Sequence, residues 1–216
     1  PGLDWSDTLL TLADPGRPVT CFTYPEGVSG QWNQFEVDTV AAVVLLYATH
    51  LGGPDGSVID PQTFWSRTVG VVTPHRAQRA RIVRALTEVF AGDDEDALLP
   101  QWIASAVDTV ERFQGQERDI IIGSFAVGDP DTVAEEAEFL HNVNRFNVLA
   151  TRAKAKLIVL ASREVLDHVA AELDVIRSSA LLKTFADTFC AQSHPGVLAW
   201  TDEGQAREVT GEVRWR

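Results

Sequence analysis

The chain has 216 residues, 45% of them hydrophobic and 23% charged. That is enough apolar material to bury a core, and too much for a chain that is disordered throughout. Its net charge of −13 argues against a uniformly basic nucleic-acid binder and leaves room only for cations segregated on particular faces. The longest apolar stretch, Val40 to Ala48, is far too short to cross a bilayer, so no membrane partner is expected.

Pro18–Tyr24 has the β-branched and aromatic character of a strand. A helix follows over Gln34–Leu51, with Asn33 as its N-cap and Glu36 in the capping-box position. Gly52, Gly53, Pro54, Asp55 and Gly56 close it in a loop. Thr68–Val72 reads as a buried strand, and His75–Phe90 as the helix after it. An acidic loop over Ala91–Pro100 leads to a third strand, Ala104–Val110, and Arg118–Phe125 is a fourth, apolar enough to be covered on both faces. Gly128–Leu140 is a polar loop with a short helix. Helix Asn142–Ala153, strand Lys156–Ala161 and helices over Arg163–Leu173 and Asp174–Ala191 complete the alternation. Val197–Thr201 and Arg207–Trp215 flank Asp202-Glu203-Gly204 as a hairpin, an added sheet edge or a small accessory element.

Strands alternating with helices predict an α/β fold with a mostly parallel sheet. The expected division is a main domain over residues 1–175 and a helical and hairpin extension over 176–216. Cys21 and Cys190 make no disulfide framework and read as buried small hydrophobes. With no signal peptide visible and heavy use of Asp, Arg, Val and Ala, the expected setting is a bacterial cytoplasm. The histidines show no metal-ligand spacing, so no metal site is expected. The tryptophans are scattered, and packing is their simplest role, although an exposed one can stack a base. Two basic clusters stand out, Arg76–Arg84 and Arg145 with Arg152, Lys154 and Lys156. On spacing alone each reads as a solvated helix face.

Three segments stand at predicted strand ends, where open α/β sheets bind ligands. The first is Val69-Gly70-Val71-Val72-Thr73-Pro74-His75-Arg76-Ala77-Gln78. The second runs from Val107-Asp108 through Phe113-Gln114-Gly115-Gln116-Glu117 to Asp119-Ile120-Ile121-Ile122. The third is Phe139-Leu140, then Asn144-Arg145-Phe146-Asn147-Val148-Leu149-Ala150-Thr151-Arg152-Ala153-Lys154. In order and spacing the set resembles the C-terminal half of superfamily 1B helicases, the group of the nonsense-mediated-decay helicase and the senataxin-like enzymes. The segments look like that family's "(I/V)xPYxxQ" stretch, its motif V "VDxFQGxExDxVI" and its motif VI "FLxxxxRxNVAxTRAK". Asn33-Gln34-Phe35-Glu36-Val37 weakly resembles the family's "NxxEA" helix start. His75 stands where the family usually has Tyr, and Leu149 replaces a small residue.

The resemblance implies a RecA-like second lobe, domain 2A, of an ATP-dependent helicase or translocase. No G-x-x-x-x-G-K-[ST] loop, acidic magnesium strand or "QYRMHP" stretch is present. The implied ATP and Mg2+ would therefore sit mainly on a first RecA-like domain of the same protein, with none held by this chain alone. The absence of methionine and the opening at Pro1 hint at a fragment. Arg152 takes the arginine-finger role, which the forked guanidinium suits. Gly115 and Glu117 face the nucleotide, Glu117 orienting a water or a ribose hydroxyl. Gln114 and Gln78 belong to ATP binding or coupling, and Arg145 either buttresses motif VI or meets the γ-phosphate. Thr73, His75 and Thr109 are the expected contacts to single-stranded nucleic acid. Motifs V and VI are both expected at the carboxyl ends of the strands, with Arg152 largely exposed and the nucleic-acid patch nearby. The rival reading is a RecA-like interaction module without catalysis.

Overall fold

A computed structural model describes residues 5–51, 59–91, 97–169, 173–202 and 204–216. The expected glycine-rich loop at 52–56 and the acidic run at 93–96 lie outside the described residues. Helix α1 (Trp5–Ala13) leads into β1 (Val19–Tyr24), then α2 (Gln34–His50). A short helix α3 (Pro61–Thr63) and a π-helical turn over Phe64–Thr68 precede β2 (Val69–Thr73). Then come α4 (Arg76–Phe90), α5 (Leu99–Ala106), β3 (Val107–Thr109) and β4 (Arg118–Ser124). Short helices α6 (Pro130–Glu135) and α7 (Ala137–Leu140) lead to α8 (Val143–Thr151) and β5 (Ala153–Ser162). The chain ends with α9 (Arg163–Asp167), α10 (Leu173–Thr184), a π-helical turn over Phe185–Phe189, and the hairpin β6 (Gln192–Asp202) and β7 (Gln205–Trp215).

The strands form one seven-stranded sheet in the order β3-β2-β4-β5-β1-β7-β6. The first five positions are mutually parallel, and the hairpin adds two antiparallel strands through β7 on β1. This is the mostly parallel α/β arrangement of a RecA-like domain, with the hairpin as an added edge. Strand periodicity divides the core. Val69, Val71, Ile120, Ile122, Ile158 and Leu160 point to the face covered by α1, α2, α4 and α5. Val72, Ile121, Leu157 and Val159 point to the face covered by α8, α9 and α10. Because each buried Ile, Leu or Val contributes about 1.5–3 kcal/mol, the two-sided burial explains why β4 and β5 are continuous apolar runs rather than alternating ones.

Local structure departs from the sequence expectation in several places: the helix expected over Arg163–Leu173 ends at Asp167, the strand expected over Lys156–Ala161 starts at Ala153, and the hairpin strand expected over Val197–Thr201 starts at Gln192. Residues 104–106 belong to a helix, α5, and β3 keeps only three residues. Pro100 sits in the first turn, where its missing N–H costs nothing, and Ile103 and Ala106 bury one face of that turn. Helix α1 stands where no helix was expected, and it buries Leu9, Leu12 and Ala13. Asn33 does cap α2, accepting from the Glu36 N–H at 3.4 Å, but Glu36 does not complete the capping box. Its carboxylate turns into the sheet instead.

There Glu36 is fully buried and accepts from Tyr24 Oη and Ser124 Oγ, each at 2.5 Å, and from the Ala126 N–H at 2.9 Å. Asn33 Nδ2 donates to Tyr24 Oη at 3.1 Å, and Gln78 Nε2 donates to Ser124 Oγ at 2.9 Å. Ala126 holds φ at +67°, a left-handed conformation that costs a non-glycine residue energy. Burial pushes the Glu36 carboxyl up to about 7, against the lowering effect of its three donors. Cys21 and Cys190 are both buried and free, and burial raises both thiols, Cys190 to about 11. That leaves them protonated and inert at neutral pH.

Candidate nucleotide and nucleic-acid site

Motif V leaves β3 at the carboxyl edge and then descends. Thr109 O accepts from Arg112 N and Phe113 N, and Phe113 O accepts from Gln116 N, so the segment winds tightly down toward the start of β4. Phe113 is fully buried and anchors on β2: a Cβ added at Gly70 would come within 2.6 Å of the Phe113 ring. Gly70→Ala is therefore expected to push the motif V turn out of place and cost about 1–3 kcal/mol. A thermal melt reads the loss, and a variant as stable as the parent would show that Phe113 does not hold the turn.

The turn presents Gln114, Gly115 and Glu117 to solvent. Gly115 has φ +84° with open space around it, so the glycine serves conformation and leaves its backbone approachable. Arg118 is buried behind the turn, donating to Glu117 O at 3.0 Å and Gln116 Oε1 at 2.9 Å while its guanidinium lies 5.4 Å from the Phe113 ring centroid. Its position in the motif is a variable one, so the pattern gave no signal for it.

Motif VI descends in parallel. Asn142 caps α8 by accepting from Asn144 N and Arg145 N, and the helix ends at Arg152. Arg118 N donates to Arg152 O at 3.0 Å, which joins the end of motif V to the end of motif VI. Lys154 Nζ stands 3.8 Å from Glu117 Oε2. Gly115, Glu117 and Arg152 thus share one edge of the sheet, but it is the amino edge of β4 and β5. The expected placement at the carboxyl ends is corrected: β3 is so short that the motif V segment carries Gly115 and Glu117 down the height of the sheet before β4 begins. Arg152 is half-buried rather than largely exposed. Among the described residues its guanidinium meets only Val148 O and Thr151 Oγ1, each at 3.2 Å, and no carboxylate. Lys156 leaves the basic cluster altogether. It is buried, its ammonium donates to Asp14 O and Arg17 O, and burial draws its pKa down to about 7.

The other candidates gather at the carboxyl edge. Thr73 and Thr109 are register partners at the ends of β2 and β3. Both are buried, and the Thr73 hydroxyl has no partner among the described residues. His75 is buried too, 3.1 Å from Glu136 but poorly aligned for a hydrogen bond, with its ring 5.6 Å from that of Phe139. Burial lowers its pKa, against the opposing pull of Glu136. The expected open patch of Thr73, His75 and Thr109 is therefore buried, with Glu136 beside His75. Gln78 is fully buried and saturated: Oε1 accepts from Asn33 N, and Nε2 donates to Ser124 and Asn33 O. It couples α2 to β4 rather than offering an amide to a ligand. Arg145 donates to Phe139 O and pairs with Glu111 of motif V at 2.9 Å, a buttress between motifs V and VI. Arg79 is also a tie, to Asp108, Val107 O and Ala104 O, whereas Arg76, Arg81 and Arg84 are exposed. Among the described residues no group of His, Cys, Asp or Glu is arranged to hold a metal ion, and no helix is long and apolar enough to cross a membrane.

The family model of the AAA domain (AAA_12) matches residues 23–164, from the end of β1 to the start of α9 and so across all three motif segments. The chain belongs to that family. Among curated proteins it is 36% identical over 104 residues to RNA helicase Mov10l1 of Mus musculus, covering 47% of this chain and 8% of the relative. It is 27% identical over 104 residues to the DNA replication ATP-dependent helicase/nuclease JHS1 of Arabidopsis thaliana, covering 48% and 7%. It is 30% identical over 118 residues to the DNA replication ATP-dependent helicase/nuclease DNA2 of Bos taurus, covering 50% and 10%. These are superfamily 1B helicases, and the chain is a helicase-type domain of that group that fits its C-terminal lobe. It spans about a tenth or less of the length of these relatives. The relatives come from animals and a plant, with others from Drosophila melanogaster and Dictyostelium discoideum, which overturns the expectation of a bacterial source.

Proposed function

We propose that this domain is the C-terminal motor lobe of an ATP-dependent helicase or translocase. In this reading its amino edge closes on a nucleotide, with Mg2+, held by a first RecA-like domain. The observation that carries the proposal is the junction of motifs V and VI. There Gly115 and Glu117 lie on the same sheet edge as Arg152, whose guanidinium meets no carboxylate among the described residues. An arginine kept for internal stability would be expected to hold an acid, as Arg145, Arg163 and Arg214 do. Arg152 instead rests on two oxygens of its own helix, bonds that a phosphate replaces at little cost because the charge-assisted contacts are stronger. Glu117 faces the same edge and orients a water or a ribose hydroxyl there. ATP brings the γ-phosphoryl group and Mg2+ neutralises charge on it; this chain's part is to place the Arg152 fork against the phosphate oxygens and to exclude water.

Helix α8 supplies the mechanical link. Its first turn carries Arg145, tied to Glu111 at the carboxyl edge, and its end carries Arg152 at the amino edge. Movement of Arg152 onto a phosphate is thus transmitted along a rigid helix to the rim where Thr73, His75 and Thr109 lie. That rim is the proposed contact to single-stranded nucleic acid; it is buried in the isolated domain, so contact requires a rearrangement that opens it.

The chain alone has no phosphate loop, so the purified 216-residue protein is expected to show no ATP turnover that depends on Arg152. Turnover abolished by Arg152→Ala in this chain alone would overturn the shared-site proposal. Binding to single strands should be weak, with Kd above about 1 µM at physiological salt, and should fall steeply as salt rises. Nucleic-acid titrations at several salt concentrations test this, and a salt-independent submicromolar affinity would contradict it.

A further inference from the structure

Strand β4 opens with a charge that the fold buries and leaves without an acid. Arg118 is 7% exposed, and burial lowers its pKa with no carboxylate opposing the shift. Among the described residues no acid pairs with it, whereas Arg79, Arg145, Arg163 and Arg214 each hold one. Its guanidinium donates through Nη1 to Glu117 O at 3.0 Å and through Nη2 to Gln116 Oε1 at 2.9 Å, and its Nε is buried with no partner. Burying an unpaired cation is unfavourable, so its place at the junction of motifs V and VI calls for a reason.

The surroundings fix this side chain. Its stem lies on β2 at Gly70, where an added Cβ would come within 2.9 Å of Arg118 Cγ, and its guanidinium lies 5.4 Å from the Phe113 ring centroid. The Arg118 N–H donates to Arg152 O at 3.0 Å. One residue therefore touches both the motif V turn and the end of motif VI. On the outer side of the turn Gln114, Gly115 and Glu117 are exposed, and among the described residues their N–H groups donate to no acceptor. Gly115, at φ +84°, supplies the left-handed step that backbone anion cradles use.

We propose that Arg118 is a positioning residue for a nucleotide phosphate at this edge: it holds the Gln116–Glu117 stretch from behind, and its unpaired buried charge sets a positive potential beneath the turn that the phosphate completes. The proposal rests on the shared-site reading above and adds to it a residue that touches no phosphate itself. Arg152 meets the phosphate directly. Arg118 acts through the backbone of the turn, in an interior where a fixed charge is weakly screened. The phosphate in turn compensates the buried cation, so the electrostatic cost of Arg118 falls when the nucleotide is bound.

The test uses the two-lobed protein and reads two quantities for each variant, the affinity for a fluorescent ATP analogue and the melting midpoint without nucleotide. Arg118→Met keeps the stem and removes the charge and the donors. It is expected to weaken the analogue about 10-fold, the order of one charge acting across a short span of protein. Its midpoint should equal or exceed the parent's, because an apolar replacement of a buried charge is often neutral or stabilising. Arg118→Lys keeps the charge and should recover most of the lost affinity. Parent-like affinity in Arg118→Met overturns the proposal. So does a fall in midpoint that tracks the loss of affinity in both variants, which makes Arg118 a structural residue only. Arg152→Ala separates the two readings. If it keeps parent-like ATP turnover, the shared-site reading fails and the Arg118 proposal with it. If it loses turnover while Arg118→Met binds like the parent, the Arg118 proposal fails alone.

Discussion

Replacing Arg152 by Ala in the two-lobed protein is expected to lower kcat for nucleic-acid-stimulated ATP hydrolysis by about 10³- to 10⁵-fold, the range typical of a lost arginine finger. The KM for ATP should change little, because the proposed contact strengthens as charge develops on the transferred phosphoryl group. Arg152→Lys should rescue only a small part of the loss: an ammonium supplies the charge but not the planar fork that bonds two oxygens together. Nucleic-acid affinity without ATP should stay near that of the parent, since Arg152 stands at the opposite edge from the rim. A variant with full turnover would remove the finger assignment. One with low turnover and equally low nucleic-acid affinity would place Arg152 on the track instead.

The second large effect is predicted for Glu36. Removing its side chain by Glu36→Ala strands the Tyr24 hydroxyl, the Ser124 hydroxyl and the Ala126 N–H in a site closed to solvent. At about 1–3 kcal/mol for each unsatisfied buried group, with water able to reoccupy part of the space, the expected destabilisation is about 3–5 kcal/mol. Glu36→Gln keeps the shape and removes the titration. The folded carboxyl is raised from 4.5 to about 7, so its stabilisation is fully present below pH 4.5 and is lost as pH rises toward 7, on the order of 3 kcal/mol across that window. Chemical denaturation of the parent and Glu36→Gln at several pH values measures this. The difference between them should shift in favour of the glutamine variant as pH rises from about 4.5 to 7, and a pH-independent difference would show that Glu36 stays ionised in the fold.

Much of the sheet is legible in the sequence because buried parallel strands announce themselves. The apolar runs at Val69–Val72, Ile120–Ile122 and Leu157–Ala161 can be satisfied only with helices on both faces. That motifs V and VI share one edge follows from the family resemblance of the segments carrying Gly115, Glu117 and Arg152, taken with a parallel sheet. Which edge they occupy was hidden. It depends on β3 being three residues long and on the winding of residues 110–116, and nothing in the apolar stretch around Ala104–Val110 marks where helix ends and strand begins. Gln78 and Glu36 show a second limit. Each occupies a motif position with a local explanation, a ligand contact for Gln78 and a capping box for Glu36. Their real partners, Asn33 and Ser124 for one, Tyr24 and Ala126 for the other, are distant in sequence. A glutamate between Phe35 and Val37 in a helix whose neighbouring positions are nearly all buried was the available signal for Glu36.

Whether Arg152 crosses to a phosphate is decided by the structure of the two-lobed protein bound to a nucleotide carrying a mimic of the transferring γ-phosphoryl group. The expected result is an Arg152 guanidinium released from Val148 O and within roughly 2.7–2.9 Å of the mimic's oxygens, with Gly115 and Glu117 on the same side of the nucleotide. An Arg152 that stays on Val148 O and Thr151, out of reach of the bound phosphate, would contradict it.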